Sequence, residues 1–514
     1  MAKNYVMVID EGTTGTRSLI FDKSLNIIAS SYTEFTQYTP ASDKVEHDAM
    51  EIYDKSIQMC RQAMEQASIS SDDIACIGIT NQRNTFVLWD KNTGLPIHHA
   101  IVWQDSRCGE MADRLASEQI GKDTFAATGK KLCTYQPVLP IRWLMDNVDG
   151  IESQVNSGDI LFGTIDCWLI WKLTEGAVHA VASSNASSLG CYDLKEKKWY
   201  QPIFDHLKVP VSIFPEVLDD AADYGTTNLF GSPIPITGAI ADQQSALFSE
   251  NCHQAGSAKC TNGTGTFMDI NIGTEVKLPP DGLDTLIAWT LNGVTYYCYE
   301  GMIAVTGSAV QWLRDGLQII NSSAETEEIA ASVEDTNGVY FVPTLAGINC
   351  PEYDPFARGL IAGISRGATK AHLVRATLEG IAFSLADIMN VVKDRTGISV
   401  NNLQIDGGAS KNNLLAQMIA DYTQASVSRP NSVEATALGG AEMALIGAGL
   451  AKQEDFASVM DIDRTLRRRW TMRRERKIMR DGNARENVPE NGWLNKKILL
   501  LYNKIRTAKM RGAV

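Results

Sequence analysis

Residues 5–22 read YVMVIDEGTTGTRSLIFD. A β-rich run ends at Asp10, a turn of glycine and threonine follows, and a second apolar run begins at Arg17. With a third run at 27–32, this pattern predicts a β-meander that opens a domain. Consecutive backbone N–H groups in such a turn can bind an anion. An ordinary hairpin turn has the same composition, so the turn alone does not decide between the two.

The second half of the chain repeats this pattern. Residues 259–270 read KCTNGTGTFMDI, which predicts a strand, a glycine and threonine turn, and another strand. Residues 403–406 predict a further strand, which is followed by a turn at Gly407 and Gly408 and by a helix that begins near Asn412. Two halves that each contain such a hairpin predict a duplicated α/β architecture with a cleft between lobes. We expect two domains, 1–250 and 251–455, and a basic helical tail, 456–514.

Composition narrows the class of protein. The 514 residues include 44% hydrophobic and 21% charged residues, which is typical of a globular protein. The net charge of −14 argues against general nucleic-acid binding. The N-terminus lacks signal-peptide character and no long apolar run predicts a membrane span. Ten scattered cysteines without a C-x-x-C pair indicate reduced thiols and a cytoplasmic protein.

The basic tail is open to two interpretations. Arg464 to Val514 is strongly basic, with Arg467-Arg468-Arg469 as its first cluster. It would suit an anionic partner or a membrane surface, or it forms a solvated helix whose cations balance an acidic body.

The turns suit phosphoryl transfer, which needs positioned phosphates, a metal, an in-line hydroxyl and a proton acceptor. Asp10, at a strand end, is a candidate carboxylate for Mg²⁺. Asp242, in the segment IADQQSA, is the candidate proton acceptor, although an Asp at a helix start is also a common N-cap. The chain has no G-x-x-x-x-G-K-[ST] loop, no H-R-D or D-F-G set and no H-E-x-x-H cluster.

From Tyr5 to about Leu450 the chain resembles the FGGY carbohydrate kinases, and within them the members that act on glycerol. The resemblance implies an α/β, two-domain actin-like ATPase fold (ribonuclease H-like) with an inter-domain cleft that closes over ATP and substrate. The matching segments are 10–17, 45–48, 78–83, 161–166, 242–244, 311–315, 359–379 and 406–409.

The resemblance also implies roles for particular residues. Asp242 would be the general base and Asp10 would organise Mg²⁺. The nucleotide site would comprise Thr13, Thr14, Arg17, Thr264, Gly307, Gln311, Gly408 and Asn412. The polyol would contact Arg83, Asn84, Trp103, Tyr135, Asp242, Gln243 and Phe267. Core packing is the alternative for the aromatic residues.

Several positions depart from the family pattern, among them Gly15 and Thr16, which stand where the family usually has two serines. Asn84 stands where the glycerol-specific members have a glutamate, which loses a charged hydrogen-bond acceptor. Pro140 replaces a lysine near Tyr135, so we expect a reshaped loop there. Glu11 stands where the family usually has glutamine.

The resemblance therefore predicts ATP-dependent phosphorylation of a small polyol, with glycerol the leading substrate. Another polyol such as erythritol, or a pentose or ketopentose sugar, is the alternative within the family. A non-catalytic actin-like ATP-binding regulator is the alternative of another class. The resemblance also implies a homodimer or homotetramer.

Overall fold

The structure is a computed structural model that describes residues 3–280, 282–351, 353–431, 434–456 and 462–469. The strands are β1 (Tyr5–Glu11), β2 (Gly15–Asp22), β3 (Ile27–Glu34), β4 (Tyr38–Ala41), β5 (Lys44–His47), β6 (Ile74–Asn81), β7 (Phe86–Asp90), β8 (Ala100–Ile101), β9 (Ile160–Thr164), β10 (Ala180–Ala182), β11 (Tyr192–Asp193), β12 (Lys198–Trp199), β13 (Glu216–Leu218), β14 (Thr226–Thr227), β15 (Ile234–Ala241), β16 (Ser257–Asn262), β17 (Thr266–Gly273), β18 (Asp284–Leu291), β19 (Val294–Ile303), β20 (Tyr340–Val342), β21 (Leu360–Ala362), β22 (Asn402–Asp406), β23 (Ser426–Pro430) and β24 (Ile462–Leu466). The helices are α1 (Ala49–Ala67), α2 (Gly109–Ser117), α3 (Gln119–Thr128), α4 (Val138–Asn147), α5 (Ile151–Asn156), α6 (Ile165–Leu173), α7 (Ser183–Ser188), α8 (Gln201–Leu207), α9 (Asp242–Ser249), α10 (Gly307–Asp315), α11 (Glu325–Ala331), α12 (Lys370–Thr396), α13 (Asn413–Thr423) and α14 (Ala435–Gly447).

Two large sheets share one strand order. The first runs β14-β15-β6-β1-β2-β3, in which β2 is antiparallel to both β1 and β3, β6 is parallel to β1, and β15 is parallel to β6. The second runs β18-β19-β17-β16-β22-β23-β24, with β16, β17 and β19 antiparallel and β22 and β23 parallel to β16. The predicted duplicated α/β architecture is confirmed. We call the part built from β1–β15 the first lobe and the part built from β16–β24 the second lobe.

The parallel strands are buried on both faces, which explains their composition. β6 and β15 are almost continuous runs of apolar and small residues, and both are nearly fully buried. A strand covered on both faces needs such a run rather than an alternating pattern. The smaller sheet of the first lobe, β4-β5-β8-β7-β9, covers a second apolar core together with α2 to α5 and α8.

Helix α14 lies against the first lobe although it comes late in the chain. A Cβ atom on Gly78 of β6 would lie 2.2 Å from the Gly440 carbonyl oxygen, and one on Gly238 of β15 would lie 2.5 Å from the Ala444 nitrogen. Glycine is therefore required on both strands for the helix to approach this closely. The sequence range 251–455 thus contributes one helix to the sheet of the other lobe.

Two local expectations differ from the structure. Pro140 lies in a helix and not in a loop: it is buried in the first turn of α4, where proline is tolerated because no intrahelical N–H bond is needed. In the predicted helical tail, Ile462–Leu466 form β24, which pairs with β23. The remainder of the tail, 457–461 and 470–514, lies outside the described residues. Within the described ranges, no helix has the length and apolar character needed to cross a membrane.

Candidate active site

The turn between β1 and β2 is closed by a hydrogen bond from the Gly12 nitrogen to the Gly15 oxygen (3.0 Å). Asp10, at the end of β1, accepts a hydrogen bond from Nε of Arg17 (3.1 Å). Arg17 also contacts Glu434, which directly precedes α14. Burial raises the pKa of Asp10, while Arg17 opposes that rise. The first turn is thereby tied, through Arg17, to the segment that connects the lobes.

Two threonines of this turn differ in their surroundings. The hydroxyl of Thr13 accepts a hydrogen bond from the indole nitrogen of Trp103 (3.0 Å), and Thr14 is exposed. Trp103 was predicted to contact the polyol and Thr13 the nucleotide. The hydrogen bond places these two predicted subsites next to each other.

Glu11 lies beneath the same turn and is fully buried. It accepts hydrogen bonds from Thr16 (2.5 Å) and from Ser56 of α1, and its Oε2 atom has no hydrogen-bond partner in the described structure. Burial raises the pKa of Glu11 to about 8, against the two hydroxyl hydrogen bonds. The turn therefore rests on a carboxyl group that is protonated at neutral pH.

The turns of the second lobe come together at the ends of β16 and β22. The Gly307 nitrogen donates to the Gly263 oxygen (3.0 Å), and a Cβ atom on Gly307 would lie 2.5 Å from that same oxygen. Gly407 has a φ of +84°, and its Cβ position would lie 2.5 Å from the Asn262 oxygen. Glycine is therefore required at both positions, because any side chain would push the three turns apart.

The other predicted nucleotide residues lie on this surface. Thr264 and Gly408 are exposed at the turns, and Gln311 is exposed on α10. Asn412 has a structural role as the N-cap of α13, since its Oδ1 accepts from the Leu415 nitrogen (2.9 Å) and its Nδ2 donates to Thr326 (3.1 Å).

Asp242 is the first residue of α9, directly after β15. The N-cap position belongs to Ala241, and Oδ1 of Asp242 accepts from the Gln243 nitrogen (2.7 Å). Its side chain is 30% exposed and lies 3.5 Å from Nε of Arg83. Burial raises the pKa of Asp242, whereas Arg83 lowers it.

Arg83 joins the two lobes at this point. Its Nη1 atom lies 2.6 Å from Oε2 of Glu300 on β19, and its guanidinium lies 5.9 Å from the ring centre of Phe267 on β17. Burial opposes the ionisation of Glu300, but Arg83 and Lys130 outweigh it and lower the pKa of that carboxyl. The site therefore holds an ionised Glu300 beside Arg83 and a partly exposed Asp242.

Gln243 and Tyr135 are each accompanied by a buried lysine. Gln243 accepts a hydrogen bond from Nζ of Lys259 on β16. Nζ of Lys130 lies 5.3 Å from the Tyr135 ring centre and 2.9 Å from Asp284 on β18. Both lysines are almost fully buried, and the second pair again links the first lobe to the second.

Asn84 follows Arg83 in the loop after β6. It has a φ of +64° and is 9% exposed, and its Oδ1 atom has no hydrogen-bond partner among the described residues. A buried acceptor without a partner is costly, so this atom is a candidate to receive a hydrogen bond from a ligand.

The structure thus brings Arg83, Asp242 and Phe267 together, pairs Thr13 with Trp103, and gathers the second-lobe turns. Sequence reasoning missed Glu300, Lys259, Lys130 and Glu434. One of these residues could have been found from the sequence. Lys259 and Asp269 stand opposite each other in the β16–β17 hairpin once the turn at Gly263–Gly265 fixes the register, so this ion pair was predictable.

Two lobes with the same strand order, each with a glycine and threonine turn, define a two-domain ATPase of the actin-like class. The N-terminal domain of the FGGY family of carbohydrate kinases matches residues 5–249, and the C-terminal domain of that family matches residues 258–448. The chain belongs to the FGGY family of carbohydrate kinases, which confirms the family and the fold predicted from the motifs.

Individual relatives agree with this assignment. The chain is 44% identical to glycerol kinase 2 of Thermotoga maritima over 463 residues, which span 90% of this chain and 93% of the relative. It is 45% identical to the glycerol kinase of Caldanaerobacter subterraneus over 467 residues, which span 90% and 94%. The crystal structure of Plasmodium falciparum glycerol kinase with ADP superposes with a TM-score of 0.88 at 31% identity, covering 94% of this chain and 97% of the other. Gluconate kinase from Lactobacillus acidophilus, at 18% identity and a TM-score of 0.84, shares the fold.

Proposed function

We propose that this protein transfers the γ-phosphate of ATP to a terminal hydroxyl of glycerol and so produces glycerol 3-phosphate. The observation that carries the proposal is the position of Asp242, a partly exposed carboxyl 3.5 Å from Arg83 at the junction of two lobes that each present a glycine and threonine turn. The glycerol kinases that match most of the chain support glycerol as the acceptor.

In this mechanism Asp242 accepts the proton of the substrate hydroxyl. The hydroxyl oxygen bonds to the γ-phosphorus as the bond from that phosphorus to the β–γ bridging oxygen breaks, and ADP leaves. The proton then passes from Asp242 to water. Burial raises the pKa of Asp242, and Arg83 opposes that rise and so favours the ionised form that a general base requires.

The turns would hold the phosphates of ATP. Thr13, Thr14 and Arg17 belong to the first lobe, and Thr264, Gly307, Gln311, Gly408 and Asn412 to the second. Backbone N–H groups and hydroxyls at such turns suit phosphate oxygens. Closure of the lobes would bring both sets to one nucleotide.

Asp10 fits a role next to Mg²⁺. Its Oδ2 atom is occupied by Arg17, and Mg²⁺ in kinases needs only one or two carboxylates in addition to waters and phosphates. Asp10 would hold the ion, and Mg²⁺ would supply positive charge that offsets the negative charge developing during transfer. In the described ranges, no three His, Cys, Asp or Glu side chains form a metal cluster.

Glycerol would lie among Arg83, Asn84, Trp103, Tyr135, Gln243 and Phe267. The aromatic rings would pack against the carbon chain, and the polar groups would bind hydroxyls. Asn84 favours a second candidate within the family, because a neutral side chain in place of a carboxylate weakens one hydroxyl contact. We therefore keep a tetritol such as erythritol as the alternative acceptor.

Cellular location and assembly belong to the same proposal. All ten cysteines are free and nine are buried, which supports a reducing cytoplasm. A homodimer or homotetramer is expected from the family, and light scattering on the purified protein measures it.

ADP release with ATP and Mg²⁺ across glycerol, tetritols, pentitols and ketopentoses tests the function. We expect glycerol to give the highest kcat/KM. If a different acceptor exceeds it by tenfold or more, the substrate assignment is wrong while the kinase assignment stands. If no acceptor stimulates ADP release, the proposed reaction is wrong.

A further inference from the structure

Lys259 on β16 is fully buried and has no direct access to the cleft. Its Nζ atom donates to Oε1 of Gln243 and to Oγ1 of Thr261 (3.1 Å), and it lies 3.1 Å from Oδ2 of Asp269 on β17. Burial alone would lower the pKa of Lys259, but the neighbouring carboxyl groups, Asp269 first, raise it. The lysine is therefore charged, donates two hydrogen bonds and forms an ion pair with Asp269.

This contact fixes which end of the Gln243 amide faces the cleft. An ammonium group has three donors and no acceptor, so only the amide oxygen can face it. The amide nitrogen, Nε2, must then point away from Lys259. Gln243 is half-buried in the first turn of α9, next to Asp242, and within the described ranges its Nε2 has no hydrogen-bond partner.

We propose that Lys259 is a positioning residue that holds the amide of Gln243 as a hydrogen-bond donor toward a hydroxyl oxygen of the substrate. The inference rests on the proposed function, because it assumes that a polyol binds beside Asp242. It deepens that function by assigning Gln243 the donor role and by naming the group that enforces it. Without Lys259, the two ends of the amide are nearly the same size and either could face the substrate.

A purely structural role for Lys259 is the competing explanation. Glu250 and Asp406 are the other carboxyl groups that raise its pKa, and both oxygens of Glu250 lack hydrogen-bond partners in the described structure. A lysine that merely offsets these carboxyl groups would affect the free energy of unfolding but not the choice of substrate. The two explanations therefore differ in the kinetics rather than in stability.

The test compares glycerol with 1,2-propanediol and 1,3-propanediol, which each lack one hydroxyl. The charge-balanced double variant Lys259→Met/Asp269→Asn removes the contact that orients the Gln243 amide. Asp269→Asn alone retains this contact and is the matched control. The preference is the kcat/KM for glycerol divided by the kcat/KM for whichever diol the unmodified enzyme uses less well. We expect this ratio to fall about tenfold in the double variant. The loss should lie mainly in KM, and the ratio for Asp269→Asn should equal that of the unmodified enzyme.

A second background identifies the atom involved. Gln243→Met removes the donor itself, so adding Lys259→Met/Asp269→Asn to it should lower the preference no further. If the two effects multiply instead, Lys259 does not act through Gln243 and the inference is overturned. It is also overturned if the double variant keeps the wild-type preference.

The remaining variant, Gln243→Glu, covers the case in which the Lys259 variants do not fold. A glutamate retains the contact with Lys259 but has no donor for the substrate, so it should lose the same preference as Gln243→Met. An undiminished preference in Gln243→Glu overturns the inference. These failures differ from failure of the proposed function, in which the unmodified enzyme would show no polyol-stimulated turnover.

Discussion

Nη1 of Arg83 lies 2.6 Å from Oε2 of Glu300, and the two residues belong to different lobes. Their side chains are 9% and 8% exposed, so solvent screens this ion pair only weakly. Arg83 also lies near Asp242, and Glu300 raises the pKa of Asp242 while Arg83 lowers it. Burial has the largest effect on the pKa of Asp242, and the interface between the lobes modifies it further through Arg83 and Glu300.

Glu300→Gln should move the acid limb of the kcat/KM profile to lower pH. The substitution removes a negative charge that favours protonated Asp242 and leaves Arg83 to stabilise the ionised form. Because the ionised form is the active one, activity then persists to lower pH, although the maximal rate should fall as the lobes lose a contact. The pH dependence of kcat/KM for glycerol measures the shift. An acid limb that stays in place or moves upward would show that Glu300 does not influence the base.

Asp242→Asn should lower kcat about 10²- to 10⁴-fold, the usual contribution of a general base. The amide can still accept the hydrogen bond from the Gln243 nitrogen, so the start of α9 should be retained. ATP affinity, measured by calorimetry, should therefore remain unchanged. Asp205→Asn on α8, an exposed carboxyl, is the control and should have wild-type kcat. Near-normal turnover in Asp242→Asn would remove this residue from the base role.

Asn84→Glu should lower the KM for glycerol about fivefold, because a hydrogen bond to a charged acceptor is the stronger one. The residue has a φ of +64°, a conformation that asparagine tolerates better than glutamate, so the Tm should also fall. Asn84→Gln is the matched control, since it has the same length and backbone cost without the charge. If both variants change KM equally, side-chain size rather than charge governs this position.

The sequence predicted the parts of the site that depend on local patterns. The turns at Gly12, Gly263 and Gly407 follow strands of five to seven residues that the sequence pattern predicts, and β1, β16 and β22 confirm these strands. Asp10, at a strand end, and Asp242, in the segment IADQQSA, were the carboxyl candidates, and the family motifs implied the same roles for them. Neither step requires knowledge of how the lobes meet.

The residues that sequence reasoning missed were harder to predict because their role depends on how the two lobes contact each other. Glu300 is a single charge in the apolar strand β19, and its partner Arg83 lies more than two hundred positions earlier. The contact of α14 with Gly78 and Gly238 likewise joins distant parts of the chain. Sequence periodicity reports which face of an element is buried but not which element covers it, so these contacts could not be predicted.

Glu11→Gln should change how stability depends on pH. Burial raises the pKa of Glu11 to about 8 from an ordinary value of 4.5, so between these values the folded protein holds one proton more than the unfolded chain. The free energy of unfolding of the wild type should therefore decrease as the pH rises through this window, by at most about 1.4 kcal/mol per pH unit. Glutamine does not titrate and can still accept from Thr16 and Ser56, so the Tm of the variant relative to the wild type should increase from pH 5 to pH 8 and then level off. Glu65→Gln, an exposed position on α1, should show no such trend, and a Tm difference for Glu11→Gln that is constant with pH would mean that Glu11 is ionised in the fold.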